Sequence, residues 1–409
     1  MTTGTLVLLL LQGAPPEPIV VRAAKIFTAA GPTVDHGTVV VQGGKIASVG
    51  REGGPAGARV LEFPSAWVTP GLVDLHCHVG GGSLRDLNDM VHPTNPELST
   101  RPTIDPDGEL LKDAVAGGVT TVLFIPGSGT NVSGFGTLMH TAGGKTIDDL
   151  VIRFPGAMKV AQAWNPERYG GDLGMSRMGM WWGLRRLLEE ARAYHGTWES
   201  YEKGERKTPP VRQERLELMR GLFQRKWPVI IHTADARDVM GTVRMFHDEF
   251  KLPCIISHGE FGGFRSAAEI ARRDLPANIG PRTYDWTAMM YDGRCYGIAA
   301  KYREAGVKRL SLNTDSPVVP QEELIFQASM SVRLGLPEEV ALRAVTIEPA
   351  KAVMIDHRLG SLEPGKDADL VVWSGPPLDV RSRVHLVMIG GRIVYDEREG
   401  RRVTFGGGW

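Results

Sequence analysis

The sequence predicts an α/β protein in which a (β/α)8 barrel of the TIM type carries a small β-sandwich. Two observations lead to this fold class. Short apolar strands alternate with amphipathic helices over roughly 290 residues, which is typical of parallel βα units closed into a barrel. Runs of β-branched residues, separated by glycines, occur at both ends of the chain. The strands expected at either end are too few to bury a core alone.

The terminal strands are indicated by hairpin signals. A Gly-Gly pair separates two β-branched runs within residues 37–49, and another does so within residues 384–395. Such pairs favour the tight turns that join antiparallel strands. We therefore predict one composite sandwich domain from residues 18–67 and 359–409, with the barrel at residues 68–358 inserted between its two parts.

The barrel elements follow from hydrophobic periodicity. After a first apolar run at residues 72–75, strands are expected at residues 119–125, 157–163, 229–232, 254–258 and 310–314. Helices are expected at residues 109–116, 181–194, 213–224, 234–249 and 322–334. Polar residues at the carboxyl ends of these strands are the expected active site, since loops there surround the barrel mouth.

The composition excludes several classes of partner. The 409 residues are 42% hydrophobic and 23% charged, and 47 basic residues balance 47 acidic ones. The protein therefore has no net positive charge that would attract nucleic acid or an anionic membrane. Three widely separated cysteines do not form a disulfide framework. We expect a small-molecule substrate, no nucleic acid and no membrane span, and a homo-oligomer stays open.

Residues 1–17 are expected to be a signal-like or disordered leader. The apolar run at residues 6–11 precedes Gln-Gly-Ala-Pro-Pro, as at the tail of a signal peptide. It lacks a basic segment before it, and it is too short to span a bilayer. Cytoplasmic and exported locations therefore both stay open.

The stretch at residues 70–78 predicts a metal site at a strand tip. His76 and His78 lie two residues apart at the end of an apolar run. Because side chains alternate along a strand, Asp74 shares their face and Cys77 points away into packing. Neutral imidazoles converging on one point are typical ligands of a zinc-like cation.

Three further strands end in residues of the same chemical type, His232, His258 and Asp315. Taken singly, each has an ordinary alternative: the histidines could pack in a core, and Asp315 could cap a helix. Four strands that all deliver a ligand-type residue to the expected active-site end are hard to explain by packing.

With these residues in view, the sequence resembles the metal-dependent amidohydrolase superfamily, in the imidazolonepropionase-like branch. The similar segments are the first-strand metal motif, the second strand and the C-terminal signature, at residues 70–78, 116–122, 344–352 and 359–370. His232, His258 and Asp315 match the family positions on strands five, six and eight. The resemblance implies a barrel with an attached sandwich, a bound divalent metal and hydrolysis at a carbon centre.

The resemblance also implies the ligand set, which is His76, His78, His232, His258 and Asp315. Zinc is the expected ion, although such sites accept several divalent metals. Relatives in this branch often carry a glutamate before Asn-Pro, and Trp164, which cannot coordinate, stands there. That departure favours one ion over two. Lys159, as a carboxylated bridge, keeps a binuclear centre open, although strand parity predicts opposite faces for Lys159 and Trp164.

The expected mechanism uses Asp315 as the general base for a metal-activated water and as the proton donor to the leaving nitrogen. His258, either as a ligand or as a donor to the reacting carbonyl, is the second catalytic candidate. Arg168, Tyr169 and Arg177, in the loop after the Lys159 strand, are candidates for substrate binding.

The predicted function is hydrolysis of amide or cyclic amide carbon–nitrogen bonds in a small or dipeptide-like substrate. One alternative is an amino-heterocycle deaminase. Such enzymes add a glutamate a few residues past the fifth-strand histidine, where only Asp235 is acidic here. A second alternative is a catalytically silent barrel that serves as a scaffold or binding protein.

Overall fold

The computed structural model describes residues 17–51, 53–167 and 176–399. These residues form two β-sheets with helices packed around one of them. The expected leader lies outside the described residues, apart from Glu17. Across these three ranges, no helix is both long and apolar enough to cross a bilayer.

Fifteen strands are formed in the described part of the chain. They are β1 (Ile19–Ile26), β2 (Val34–Gln42), β3 (Lys45–Gly50), β4 (Arg59–Pro70), β5 (Leu72–Cys77), β6 (Val119–Phe124), β7 (Val132–His140), β8 (Val151–Ala161), β9 (Val229–Thr233), β10 (Cys254–His258), β11 (Ala277–Ile279), β12 (Leu310–Leu312), β13 (Leu370–Trp373), β14 (Val384–Ile389) and β15 (Arg392–Asp396).

The terminal sheet, made of β1–β4 and β13–β15, combines both ends of the chain. Its strand order is β15-β14-β13-β4-β1-β2-β3, and the antiparallel pair β4/β13 joins the N-terminal strands to the C-terminal ones. The predicted hairpins are confirmed, with Gly43-Gly44 and Gly390-Gly391 at their turns. All four glycines have positive φ angles, between 54° and 79°, which glycine adopts without steric cost.

The second sheet is the barrel, in which β5 to β12 follow one another in sequence order. The backbone closes it where His78 N donates to Ser316 O at 2.8 Å, next to a parallel bridge between Cys77 and Ser316. The predicted fold class is thus confirmed. The carboxyl ends of β5, β9, β10 and β12 meet at one rim, which is the edge where barrel active sites lie.

Strand β7 departs from the predicted βα repeat because it runs antiparallel to both β6 and β8. No strand was predicted here, and close packing requires the glycines of β7. A Cβ on Gly134 would lie 2.6 Å from the carbonyl oxygen of Leu98, and one on Gly136 would lie 2.8 Å from that of Phe124. Sequence periodicity also missed β11, which is only three residues long.

Twelve α-helices are described. They are α1 (Glu109–Ala116), α2 (Ile147–Leu150), α3 (Arg177–Glu202), α4 (Glu214–Glu217), α5 (Arg220–Phe223), α6 (Ala236–Thr242), α7 (Ala267–Arg272), α8 (Trp286–Asp292), α9 (Ile298–Glu304), α10 (Leu324–Arg333), α11 (Glu338–Ala344) and α12 (Ile347–Ala352). A π-helical segment, Val243–Glu249, continues α6. Short 3-10 turns occur at Leu84–Leu87, Arg101–Thr103, Gly263–Ser266, Gln321–Glu323 and Glu397–Glu399.

One predicted helix has the expected limits, and another is divided into two. The helix predicted at residues 109–116 is α1, with the same limits. The one predicted at residues 213–224 is instead two short helices, α4 and α5. Between them the backbone bonds tighten to three-residue spacing, with Met219 N donating to Leu216 O at 3.1 Å.

The chain passes from the terminal sheet to the barrel at Gly71. Strand β4 stays in the terminal sheet through Pro70, and β5 begins at Leu72. A Cβ on Gly71 would lie 2.1 Å from the Thr120 hydroxyl oxygen, so only glycine fits at this crossing. The division into a composite domain and a barrel domain at residues 67/68 and 358/359 stays a prediction.

Candidate metal centre and active-site cavity

The five residues expected to bind metal lie together at the barrel rim. Their ligand atoms fall into two groups, each with atoms within 4.8 Å of one another. One group is His76 with His232 and His258, and the other is His76 with His78 and Asp315. His76, fully buried at the end of β5, therefore belongs to both groups.

Backbone carbonyls fix the orientation of two of these imidazoles. His78 Nδ1 lies 2.9 Å from Ile125 O, and His258 Nδ1 contacts Gly280 O. A carbonyl oxygen only accepts, so Nδ1 donates in both rings and leaves Nε2 as an acceptor in the neutral tautomer. Such outer hydrogen bonds commonly orient metal-ligating histidines.

The ring nitrogens without a hydrogen-bond donor, together with the Asp315 carboxylate, form a set of acceptor atoms that suits a cation. Among the described residues, the buried His258 Nε2 and His232 Nδ1 have no hydrogen-bond partner. His78 Nε2 lies 3.0 Å from a carboxylate oxygen of Asp315, so two acceptor atoms face each other in a buried site. An arrangement of this kind calls for a shared cation or proton, and the donor set of nitrogen and carboxylate oxygen suits a divalent metal.

The electrostatics of the site favour the ligand forms of these side chains. Burial lowers the pKa of His76 and His232 well below the usual value, and it lowers that of His258 to about 4. Burial alone would raise the pKa of Asp315, but its interactions with His258, His78 and Lys159 outweigh this effect and hold that pKa below its usual range. These shifts favour neutral imidazoles at His76, His232 and His258 beside an ionised Asp315.

Lys159, the candidate bridge on β8, lies beside the predicted ligands. Its side chain is fully buried, and its Nζ lies 2.8 Å from His76 Nε2. Burial lowers its pKa to about 7. The parity comparison with Trp164 does not apply, because β8 ends at Ala161 and Trp164 lies beyond it. A lysine inside an apolar strand is itself a signal, because lysine is rarely buried without a special partner.

Two buried hydrogen-bond networks hold His76 in position. Asp74 accepts hydrogen bonds from the His76 N–H, the backbone and hydroxyl of Thr314 and the Gln321 amide, at 2.6–3.1 Å. Its burial raises the Asp74 pKa to about 6. His76 Nδ1 lies 2.6 Å from the Ser257 hydroxyl, which in turn contacts Asn278. Asp74 and Ser257 therefore position His76.

A cavity of about 190 Å³ opens above the metal-centre residues. Its lining comprises His232, His258 and Asp315 together with Trp164, Asn165, Thr233, Ala234, Glu260, Phe261, Pro281, Arg282 and Val318. Glu260 is almost fully buried, and burial raises its pKa to about 7. It accepts hydrogen bonds from the backbone and the guanidinium of Arg282, both at 2.7 Å.

Of the three predicted substrate-binding residues, the described part of the chain includes Arg177. Arg168 and Tyr169 lie outside the described residues. Arg177 begins α3 and pairs with the buried Asp238 at 3.0 Å and with Glu167 at 3.4 Å. These ion pairs are a structural use for its guanidinium, and the substrate role of all three residues stays a prediction.

Two neighbours of the centre have structural roles. The Cys77 thiol is buried and points to the carbonyl oxygens of Val79 and Leu123, at 3.6 and 3.8 Å. This is the packing role predicted by strand alternation. Asp235 caps α6 by accepting from the N–H groups of Arg237 and Asp238.

Comparison with known proteins agrees with this geometry. A family model described as "Amidohydrolase family" matches residues 298–394, which include Asp315, β13, β14 and the first part of β15. An imidazolonepropionase of Rhizobium meliloti (strain 1021) is 26% identical over 421 residues, covering 92% of this chain and 95% of that protein. The crystal structure of an amidohydrolase from Thermotoga maritima MSB8 superposes with a TM-score of 0.84 at 29% identity, covering 92% of this chain and 100% of that chain. Together, the family model, the relatives and the structural match support the amidohydrolase superfamily as the family of this chain.

The family match and the amidohydrolase and imidazolonepropionase relatives support a hydrolase that acts on carbon–nitrogen bonds other than peptide bonds. The superfamily is metal-dependent, in keeping with the clustered histidines and Asp315. Another relative, the amidohydrolase tasK of Hapsidospora irregularis, is 25% identical over 379 residues. That match covers 84% of this amidohydrolase but only 38% of tasK.

Proposed function

We propose that this amidohydrolase cleaves amide or cyclic amide bonds of small molecules, with Asp315 as the proton-transfer group. The observation that carries the proposal is the pair of ligand groups that share His76, with Asp315 at the cavity floor. His76, His78, His232, His258 and Asp315 would hold a divalent cation, with zinc expected, which would supply Lewis acidity and activate water for attack.

The role of Asp315 follows from its charge and position. Its carboxylate is held ionised, lines the cavity and lies 3.0 Å from His78 Nε2. We expect it to accept the proton of the attacking water and to return it to the departing nitrogen. His258 differs: its Nδ1 donates to Gly280 O, so its Nε2 has no proton to offer an oxyanion. A ligand role is therefore favoured for His258.

Two ions are favoured over one by the position of Lys159. Its Nζ lies 2.8 Å from His76 Nε2, where the two ligand groups meet. Addition of carbon dioxide to the neutral Lys159 amine, with loss of one proton, would give an anionic carbamate with one oxygen for each group. This carbamate would thereby take the place of the acidic ligand that Trp164 replaces. The expected holoenzyme holds two divalent ions per chain.

The alternatives are less well supported. The acidic residue that a deaminase would need, Asp235, is occupied as the cap of α6. A silent scaffold would have no use for orphaned ligand nitrogens beside a buried lysine, since unpaired buried polar groups cost stability.

Metal analysis combined with an activity screen tests the proposal. Purified protein should contain zinc or another divalent metal, and it should hydrolyse members of a panel of cyclic amides, N-acyl amino acids and dipeptides. Chelation should abolish the activity, and metal addition should restore it. His76→Ala should lose metal and turnover together, while Trp182→Ala, a change at a half-exposed ring outside the cavity lining, should retain both. Full turnover by protein shown to be metal-free would refute the mechanism.

A further inference from the structure

Three aromatic rings form a continuous row at the outer edge of the cavity. The rings of Trp164 and Phe261, both part of the cavity lining, lie 4.2 Å apart between centroids. Phe261 in turn meets Trp286, at the start of α8, edge to face at 5.9 Å. Trp164 and Trp286 remain 47% and 37% exposed. An apolar surface is thus presented next to the reacting groups.

Trp164 and Phe261 both adopt an unfavourable backbone conformation. Trp164 has a φ of 60° and Phe261 a φ of 52°, in the left-handed region that bulky residues rarely adopt. His258 and Asp315, at the floor of the same cavity, also have positive φ angles, 66° and 49°. Such conformations cluster at ligand sites, where the surrounding structure enforces them.

The positively charged side chain of Arg282 packs against this aromatic row. The Arg282 guanidinium lies 5.0 Å from the Phe261 ring centre, and its side chain is 48% exposed. The buried Glu260 anchors it through the 2.7 Å contact with Nη1. One edge of the guanidinium is therefore fixed, and the exposed remainder is at the cavity mouth, where a planar fork suits a carboxylate.

The size of the cavity limits how much of a substrate it can enclose. Its volume of about 190 Å³ is below the range of about 300–1,000 Å³ that is common for pockets which enclose whole ligands. The scissile amide and its nearest atoms fit inside. The remaining groups must lie against the rim formed by Trp164, Phe261, Trp286 and Arg282.

We propose that this rim selects amide substrates that carry both a planar aromatic group and a carboxylate. The aromatic group would stack on the exposed side of Trp164, and the carboxylate would pair with the free edge of Arg282. The inference rests on the proposed function for the reaction itself. It adds the substrate class, and its recognition residues are distinct from the metal ligands.

The test uses metal-loaded enzyme and four compounds: N-benzoylglycine, N-acetylglycine and their two glycinamide counterparts. N-benzoylglycine should have the highest kcat/KM. Trp164→Ala should reduce kcat/KM for the benzoyl compounds by roughly 3–10-fold, through KM, because aromatic pairs contribute beyond their area. Arg282→Gln should reduce it by roughly 10–100-fold for the two carboxylates alone, as expected for a charge-assisted pair.

Matched controls are available elsewhere on the surface. Trp182 is 50% exposed outside the cavity lining, and the Arg381 side chain is 87% exposed beside Asp379. Trp182→Ala and Arg381→Gln should leave all four kcat/KM values unchanged. Lys in place of Arg282 should recover part of the carboxylate preference, because the charge is kept while the fork is lost.

A binding measurement separates failure of this inference from failure of the proposed reaction. If metal-loaded enzyme hydrolyses none of the four compounds, calorimetric titration with N-benzoylglycine decides the inference alone. Binding that weakens in Trp164→Ala and in Arg282→Gln, but not in the controls, supports the rim. No binding at millimolar concentration, or equal affinity for N-benzoylglycine and N-acetylglycinamide, overturns it. Turnover with the same preference in wild type and both variants also overturns it.

Discussion

Replacing Asp315 by asparagine separates proton transfer from metal binding. The amide keeps nearly the same shape and an oxygen that can face His78, 3.0 Å away in the native protein. It cannot accept and return a proton near neutral pH. Because general acid–base catalysis typically contributes about 10²–10⁴-fold, kcat should fall by that factor. This corresponds to about 3–5 kcal/mol of transition-state stabilisation.

The fold should tolerate the change, which makes the kinetic effect interpretable. Asp315 follows the last barrel strand, and 17% of its side chain is exposed at the cavity floor. Its native pKa, held low by the neighbouring histidines, means that the wild-type carboxylate is ionised throughout the range in which such assays are run. Because the asparagine amide keeps the shape of the carboxylate and one oxygen, KM should change little. For the same reason, metal content should be retained within a factor of a few.

Three measurements on one preparation test this reasoning. They are kcat and KM for a hydrolysed amide, metal content per chain and the thermal unfolding midpoint. Asp379→Asn, at a carboxylate paired with Arg381 away from the cavity lining, is the matched control and should keep wild-type kcat. An Asp315→Asn enzyme that binds metal, folds normally and turns over at the wild-type rate would remove Asp315 from the mechanism. Lost stability with normal turnover would indicate a helix-cap role instead.

Four further substitutions test other parts of the site. Lys159→Met should reduce bound metal from two ions per chain to one, measured by elemental analysis, and retention of two would exclude the bridge. Cys77→Ser should leave metal content unchanged, since the thiol faces two backbone carbonyls; loss of metal would contradict the strand orientation. Asp74→Asn should cost about 3 kcal/mol or more in urea unfolding, because three donors lose their acceptor on one oxygen; an unchanged midpoint would refute this. Asp235→Asn should keep amide hydrolysis, because asparagine caps helices as well as aspartate, and a large loss of turnover with normal stability would show that Asp235 takes part in the reaction.

The sequence alone was sufficient for the fold class and for the convergence of the predicted ligands. Strand alternation places His76 and His78 on one face, and the carboxyl ends of barrel strands meet at one rim. His232, His258 and Asp315 therefore had to lie near them once the barrel was inferred. The same alternation turned Cys77 away. These conclusions depend only on local periodicity and on one general rule of barrel topology.

Other features were decided by contacts between distant segments. Strand β7 was not predicted, because the sequence does not show that Leu98 and Phe124 would pack closely against its glycines. Lys159 was recognised as a candidate bridge, but only the packed barrel brings its amine to His76, 83 positions away in the chain.

The cavity rim was beyond sequence reasoning for the same reason. Trp164, Phe261 and Arg282 come from three different loops, and none carries a motif that would predict the others. Their proximity arises from the left-handed backbone at Trp164 and Phe261 and from the anchoring of Arg282 by the buried Glu260. Periodicity reports the direction of a side chain within its own strand or helix. The positions of loop residues relative to one another are set by tertiary packing, because no repeating backbone geometry constrains them.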